Sequence, residues 1–218
     1  MRERYKTIYR GGEGELVEKK SRFIATVRLT ESEEEALAFI DEMKKKYWDA
    51  RHSCYAYTIG ENRESTRCSD DGEPSGTAGR PMLDVLLGED IYNVAVVVTR
   101  YFGGVLLGTG GLVRAYSGAV QAGLANSRII EKQKGCSLKV TTDYNGIGKL
   151  QYLAATGNYP ILDTEYTDIV QMHLLVPAAE LPAAQKAITE ATSGRAVLET
   201  EKELYFAEAA GEILTFDH

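Results

Sequence analysis

The chain has 218 residues, 44% of them hydrophobic, enough for one large domain or two small ones with real cores. Its three cysteines, Cys54, Cys68 and Cys136, are odd in number and lack CxxC or Cys/His ligand spacing, which excludes a disulfide framework or zinc site as the organising principle. The formal net charge of −7 is unevenly placed: residues 1–135 carry 20 Lys and Arg against 20 Asp and Glu, whereas residues 136–218 carry 5 against 12, so bulk charge argues against nonspecific nucleic-acid binding.

The N-terminus "MRERYKTIYRGGEGELVEKK" has no apolar core of the kind a signal peptide needs, and no window approaches the roughly 18 apolar residues of a membrane span. A cytoplasmic location is expected. Alternation in Ser21–Leu29 predicts a half-buried strand. "TESEEEALAFIDEMKKKYW" predicts a helix capped by Thr30 or Ser32, with acids in its first turn and lysines in its last, and with Ala36, Phe39, Ile40 and Met43 on one face. His52–Gly60 alternates again, and Tyr92–Arg100 is a continuous β-branched run suited to a central strand. A second helix is expected to open at Pro81. A third lies within "GGLVRAYSGAVQAGLANS", where Leu112, Ala115, Tyr116, Ala119, Ala122 and Gly123 give a packing face of small residues.

After "IIEKQKG" the pattern restarts. "CSLKVTTDY" reads as a strand and "GIGKLQYLAAT" as a helix; two strands follow, joined near Tyr166–Asp168, then a helix ending at Gly194, then the strand "AVLETEKELYF". Strand, helix, two strands, helix, strand is the split βαβ order of a ferredoxin-like α/β sandwich. The restart and the charge step together place a boundary near Lys134–Cys136, and the acidic tail after Phe206 is expected to be loose. The expected organisation is therefore 1–134, 135–206 and a tail over 207–218, all of the α+β class.

Two glycine-rich segments flank the central run. "SDDGEPSGTAGRP" lines up Ser75, Gly76, Thr77 and Gly79 before Arg80. "RYFGGVLLGTGGLVRA" supplies Arg100, Tyr101, Gly103, Gly104, Gly108, Thr109, Gly110, Gly111 and Arg114. Because "GTGG" immediately precedes the expected helix, its amides would converge at a positive helix end, and Arg80, Arg100 and Arg114 would bring fork-shaped guanidiniums to an anion there. The competing reading is that these glycines only let elements pack closely. No Walker-A lysine or GxGxxG spacing is present.

His52 and Cys54 share one face of a strand and contain the ingredients of a thiol nucleophile, but no third orienting group is evident, and a cysteine there equally packs as a small hydrophobe. Asp70, Asp71 and Glu73 could hold a hard cation or serve as acid and base; acids in glycine loops more commonly shape turns, and no metal is expected. His173 and the run Lys44–Lys46 have structural explanations.

Taken together, "KKSRFIA", "HSCYAYTIG", "SDDGEPSGTAGRPML" and "VVVTRYFGGVLLGTGGLVRAYSGA" closely resemble the YigZ/IMPACT family over about residues 15–130, most nearly its bacterial two-domain members. The resemblance implies an N-terminal β/α domain of the ribosomal-protein second-domain type and a ferredoxin-like second domain similar to the fifth domain of elongation factor G. It also implies a role in translation regulation, with RNA, the ribosome or a translation factor as partner, and it brings no established reaction or cofactor. The basic residues at matching positions, His52, Arg80, Arg100 and Arg114, place the expected ligand-binding site in the N-terminal domain, with Asp71 among its candidate residues. The alternatives are an enzyme acting on a phosphorylated small molecule or nucleotide, with Asp71 or Glu73 positioning magnesium or acting as base, and a protein-interaction module without a phosphate site. An acidic second domain fits a protein partner at least as well as RNA.

Overall fold

The structure is a computed structural model that describes residues 2–217. They divide into two compact units, one ending at Glu131 and the other beginning at Lys132.

In chain order the first unit contains β1 (Arg4–Arg10), β2 (Glu13–Glu18), β3 (Ser21–Leu29), α1 (Glu33–Lys46), β4 (His52–Ile59), β5 (Ser65–Ser69), α2 (Gly79–Gly88), β6 (Ile91–Tyr92), β7 (Val94–Tyr101) and α3 (Gly108–Ala125). Five strands form one sheet in the order β2-β3-β7-β4-β5, antiparallel throughout, while β1 and β6 make a short parallel pair. The β-branched run sits at the centre because it is buried on both faces. Val94, Val96 and Val98 pack with Met82 and Leu86 of α2 and with Leu112, Tyr116 and Ala119 of α3, whereas Ala95 and Val97 pack with Phe39, Ile40 and Met43 of α1. Burying each such side chain contributes roughly 1.5–3 kcal/mol.

Ser32 is the residue that caps α1: its hydroxyl accepts from the Glu35 amide at 3.1 Å. The acids of the first turn and the lysines of the last complement the helix dipole as the sequence implies. Helix α2 begins two residues before Pro81, at Gly79. Helix α3 begins at Gly108, so the "GTGG" segment forms its first turn instead of preceding it.

The second unit begins within β8 (Arg128–Thr142) and continues with α4 (Ile147–Gly157), β9 (Ile161–Tyr166), β10 (Val170–Pro177), a single 3₁₀ turn, α5 (Leu181–Ala191), β11 (Val197–Ala209) and β12 (Glu212–Phe216). Pairing in the order β9-β10-β8-β11, all antiparallel, is the ferredoxin-like arrangement. One sheet face carries Leu138, Val140, Met172 and Leu174, which pack with Leu150 and Ala154 of α4 and Ala184 and Ile188 of α5. The division between the units falls within β8, just before the expected Lys134–Cys136 boundary. One expectation is corrected. The tail is not loose: Tyr205 to Ala209 pair with Glu212 to Phe216 as a closing hairpin. Among the described residues no helix is long and apolar enough to cross a membrane.

Candidate anion-binding site

The loop between β5 and α2 folds around one carboxylate. Asp70 accepts from the amides of Gly76, Ala78 and Gly79 at 2.8, 3.0 and 2.8 Å. It thereby caps the amino end of α2, where no residue of the helix start offers a side-chain cap. Burial opposes the charged form of Asp70, yet these three donors hold its carboxyl below the usual carboxylate value. Thr77 gives its hydroxyl and amide to the Pro74 carbonyl, at 2.6 and 3.1 Å. The donors expected to face a ligand from residues 75–79 are therefore engaged by the protein itself, and Ser75 alone of this group stands exposed without a hydrogen bond to protein.

Asp71, at φ +42°, accepts from the Ser53 amide at 2.7 Å and pairs with Lys44 at 2.7 Å. Its carbonyl meets His52 Nδ1 at 2.9 Å. Glu73 turns inward, and its Oε1 accepts from Arg100 Nη1 at 2.6 Å and from the Tyr116 hydroxyl at 2.8 Å. Cys54 Sγ lies 3.0 Å from the Asp70 carbonyl and 3.4 Å from the Tyr116 hydroxyl. Burial pushes the Cys54 thiol up to about 12, and burial likewise raises Tyr116 well above an ordinary phenol. Burial thus disfavours the thiolate that a nucleophile needs, and His52 makes its bond to Asp71 rather than to Cys54. No trio of His, Cys, Asp or Glu among the described residues could hold a metal ion.

The three arginines do not converge. Arg100 is buried against Glu73, with its guanidinium carbon 5.4 Å from the Phe23 ring and 5.6 Å from the Phe102 ring. Arg80 lies along α2, paired to Asp84 at 2.8 Å. Tyr101 bonds Asp49 at 2.7 Å, and Arg22 lies 5.9 Å from its ring. Arg114 is exposed and has no carboxylate partner among the described residues; with Leu16, Glu18, Lys19, Leu107, Gly111 and Ala115 it lines a cleft of about 250 Å³. Helix α3 opens beside that cleft with no side-chain cap, its Gly108 at φ +73°.

The glycines separate by cause. A Cβ on Gly103 would lie 2.1 Å from the Lys20 backbone, one on Gly79 2.7 Å from that of Ser69, and one on Gly111 2.9 Å from Leu107 Cβ. Close packing explains these. Gly104 and Gly108 have open space but positive φ, as a turn into a helix requires. Among the glycines of the two loop segments, Gly110 alone has neither constraint: its nearest neighbour would be Arg114 Nη1 at 3.6 Å.

Comparison with known proteins matches residues 19–124 to the Impact N-terminal domain and residues 140–195 to a domain of unknown function, DUF1949. The IMPACT family member YvyE of Bacillus subtilis is 38% identical over 209 residues, covering 96% of both chains. The chain belongs to the IMPACT family. YigZ of Escherichia coli, another family member, is 38% identical over 165 residues, 75% of this chain and 81% of its own. The Dictyostelium discoideum IMPACT homolog is 39% identical over 106 residues, 47% of this chain and 30% of its own. A crystal structure of a hypothetical protein superposes with a TM-score of 0.59 at 31% identity, covering 93% of this chain and 99% of that one.

Sequence reasoning treated Tyr116 as a packing residue and Asp70 as a turn-former. The spacing of Asp70 from Gly76 and Gly79 resembles no standard capping box, and Tyr116 lies 43 positions from Glu73, so no local pattern pointed to either bond.

Proposed function

We propose that this IMPACT family member is a translation regulator that binds RNA, the ribosome or a translation factor through its N-terminal unit, seating an anionic group of the partner at the first turn of α3. The observation that carries this reading is the uncapped amino end of α3 beside a cleft into which Arg114 and Lys19 bring cations without carboxylate partners among the described residues. Amides at a helix start and adjacent cations favour phosphate or carboxylate together. Arg100 has a positioning role, holding Glu73 and hence the 70–79 loop, and the wall of the site includes Gly108, Thr109, Gly110 and Gly111. Family membership supports the translation setting.

An enzyme reading would draw on Asp71 and Glu73. Both oxygens of Asp71 are engaged by Lys44 and Ser53, and Glu73 Oε1 is buried between Arg100 and Tyr116, which favours the noncatalytic reading.

The test is binding of the full chain to ribosomes and to single-stranded RNA across a potassium chloride series, with wild type and Arg114→Glu. Affinity that falls with salt and falls again in the variant supports the reading. Binding indifferent to both overturns it.

A further inference from the structure

The loop that leads into α3 is unusual for a soluble surface. Phe102, Val105 and Leu106 are 52%, 44% and 82% exposed, and none lies over the core. Leu107, partly buried, continues this apolar edge into the cleft, where Leu16 and Ala115 form the facing wall. Cations frame it. The Lys19–Lys20 turn packs against the loop at Gly103, whose amide donates to Ser21 Oγ at 3.1 Å, and Arg114 stands on the helix side. Glu18 is the one acid lining the cleft.

We propose that the partner group seated here belongs to an acidic protein segment that places an aliphatic or aromatic side chain in the cleft and a carboxylate against Arg114 and Lys19. This rests on the anion-seating reading above and names its partner class. Charge complementarity selects an acidic occupant, since two cations, Lys19 and Arg114, line the cleft against the single acid Glu18. The chemistry of the wall selects protein over RNA. Single-stranded RNA is held by aromatic platforms that stack bases and by a track of cations following successive phosphates. Here the cleft wall is aliphatic, and the cations form one short cluster. An apolar anchor beside a charge is instead how grooves take amphipathic peptides.

The experiment is selection of a displayed random 12-residue peptide library on the full immobilised chain, with Arg114→Glu as counter-target and oligouridine binding measured in parallel. Enriched peptides should pair Asp or Glu with Leu, Ile or Phe. A synthetic representative should bind about tenfold or more weakly to Arg114→Glu and to Leu106→Ser, and unchanged to Arg80→Glu. All three substituted positions are exposed, and circular dichroism confirms that the variants fold. Absence of enrichment, or peptides indifferent to Arg114, overturns the inference. Arg114-dependent binding of oligouridine without peptide enrichment overturns the inference while leaving the anion-binding function standing; failure of both, together with ribosome binding indifferent to Arg114→Glu, overturns the two together.

Discussion

Arg100 Nη1 and Glu73 Oε1 lie 2.6 Å apart with their side chains only 8% and 3% exposed, an ion pair that ties the end of the central strand to the glycine loop. Tyr116 of α3 donates to the same carboxylate oxygen. Three elements thus meet at one atom, and removing the carboxylate leaves a buried guanidinium without its counter-charge. Glu73→Ala is expected to lower stability by about 3–5 kcal/mol, and Tyr116→Phe by about 1 kcal/mol. Urea unfolding measures both. Losses additive between Arg100→Met and Glu73→Ala would show that the two side chains do not act as a pair.

Asp70 gives a pH signature. Its folded carboxyl titrates below the ordinary value of 3.8, so its contribution is fully present above that pH and is lost as pH falls through the lower folded value. Asp70→Ala should therefore cost about 1–2 kcal/mol at pH 7, and the gap to wild type should narrow below about pH 4. Stability curves from pH 2 to 7 would reveal it. A gap that widens in acid contradicts the capping role.

Gly110→Ala separates packing from ligand approach. The added methyl has room, and alanine suits a helix better than glycine, so the variant should gain up to about 1 kcal/mol. It should at the same time weaken partner binding, because the methyl lines the approach to the α3 amides. Thermal melts and binding isotherms on one preparation report both quantities.

Thiol chemistry should single out Cys68. Burial raises all three thiols, but Cys68 alone is exposed, whereas Cys54 and Cys136 are buried. An aromatic disulfide reagent at pH 8 should modify Cys68 rapidly and the other two only on unfolding. Rapid reaction of Cys54 would reopen its reading as a nucleophile.

Much of this architecture was legible in residue patterns, for identifiable reasons. Ser32 and the Ala36, Phe39, Ile40, Met43 stripe announce α1, and the unbroken β-branched run announces a strand buried on both faces. The restart after residue 135 announces the second unit's strand and helix order. β2 and β5 were not legible, because both are edge strands with mostly exposed, polar residues and no apolar alternation. The closing hairpin escaped notice because an acidic, glycine-containing tail looks like loop until Ala210 and Gly211 are seen to adopt the positive φ of a tight turn. At the candidate site, the placement of the glycines and Arg114 at the start of α3 was legible from the approach of a glycine-rich segment to a helix. The fate of Arg100 was not, since an arginine's partner 27 residues away leaves no mark on local sequence.

Asp70 gathers both ends of its loop, and Glu73 secures the middle to α3, so the exposed tip at Ser75 sits on a stiff mount with nothing of its own to lose. That makes it a natural attachment point for a reporter dye. In a Cys68→Ser background, a fluorophore carried on Ser75→Cys would register an arriving partner through its surroundings instead of through its own tumbling.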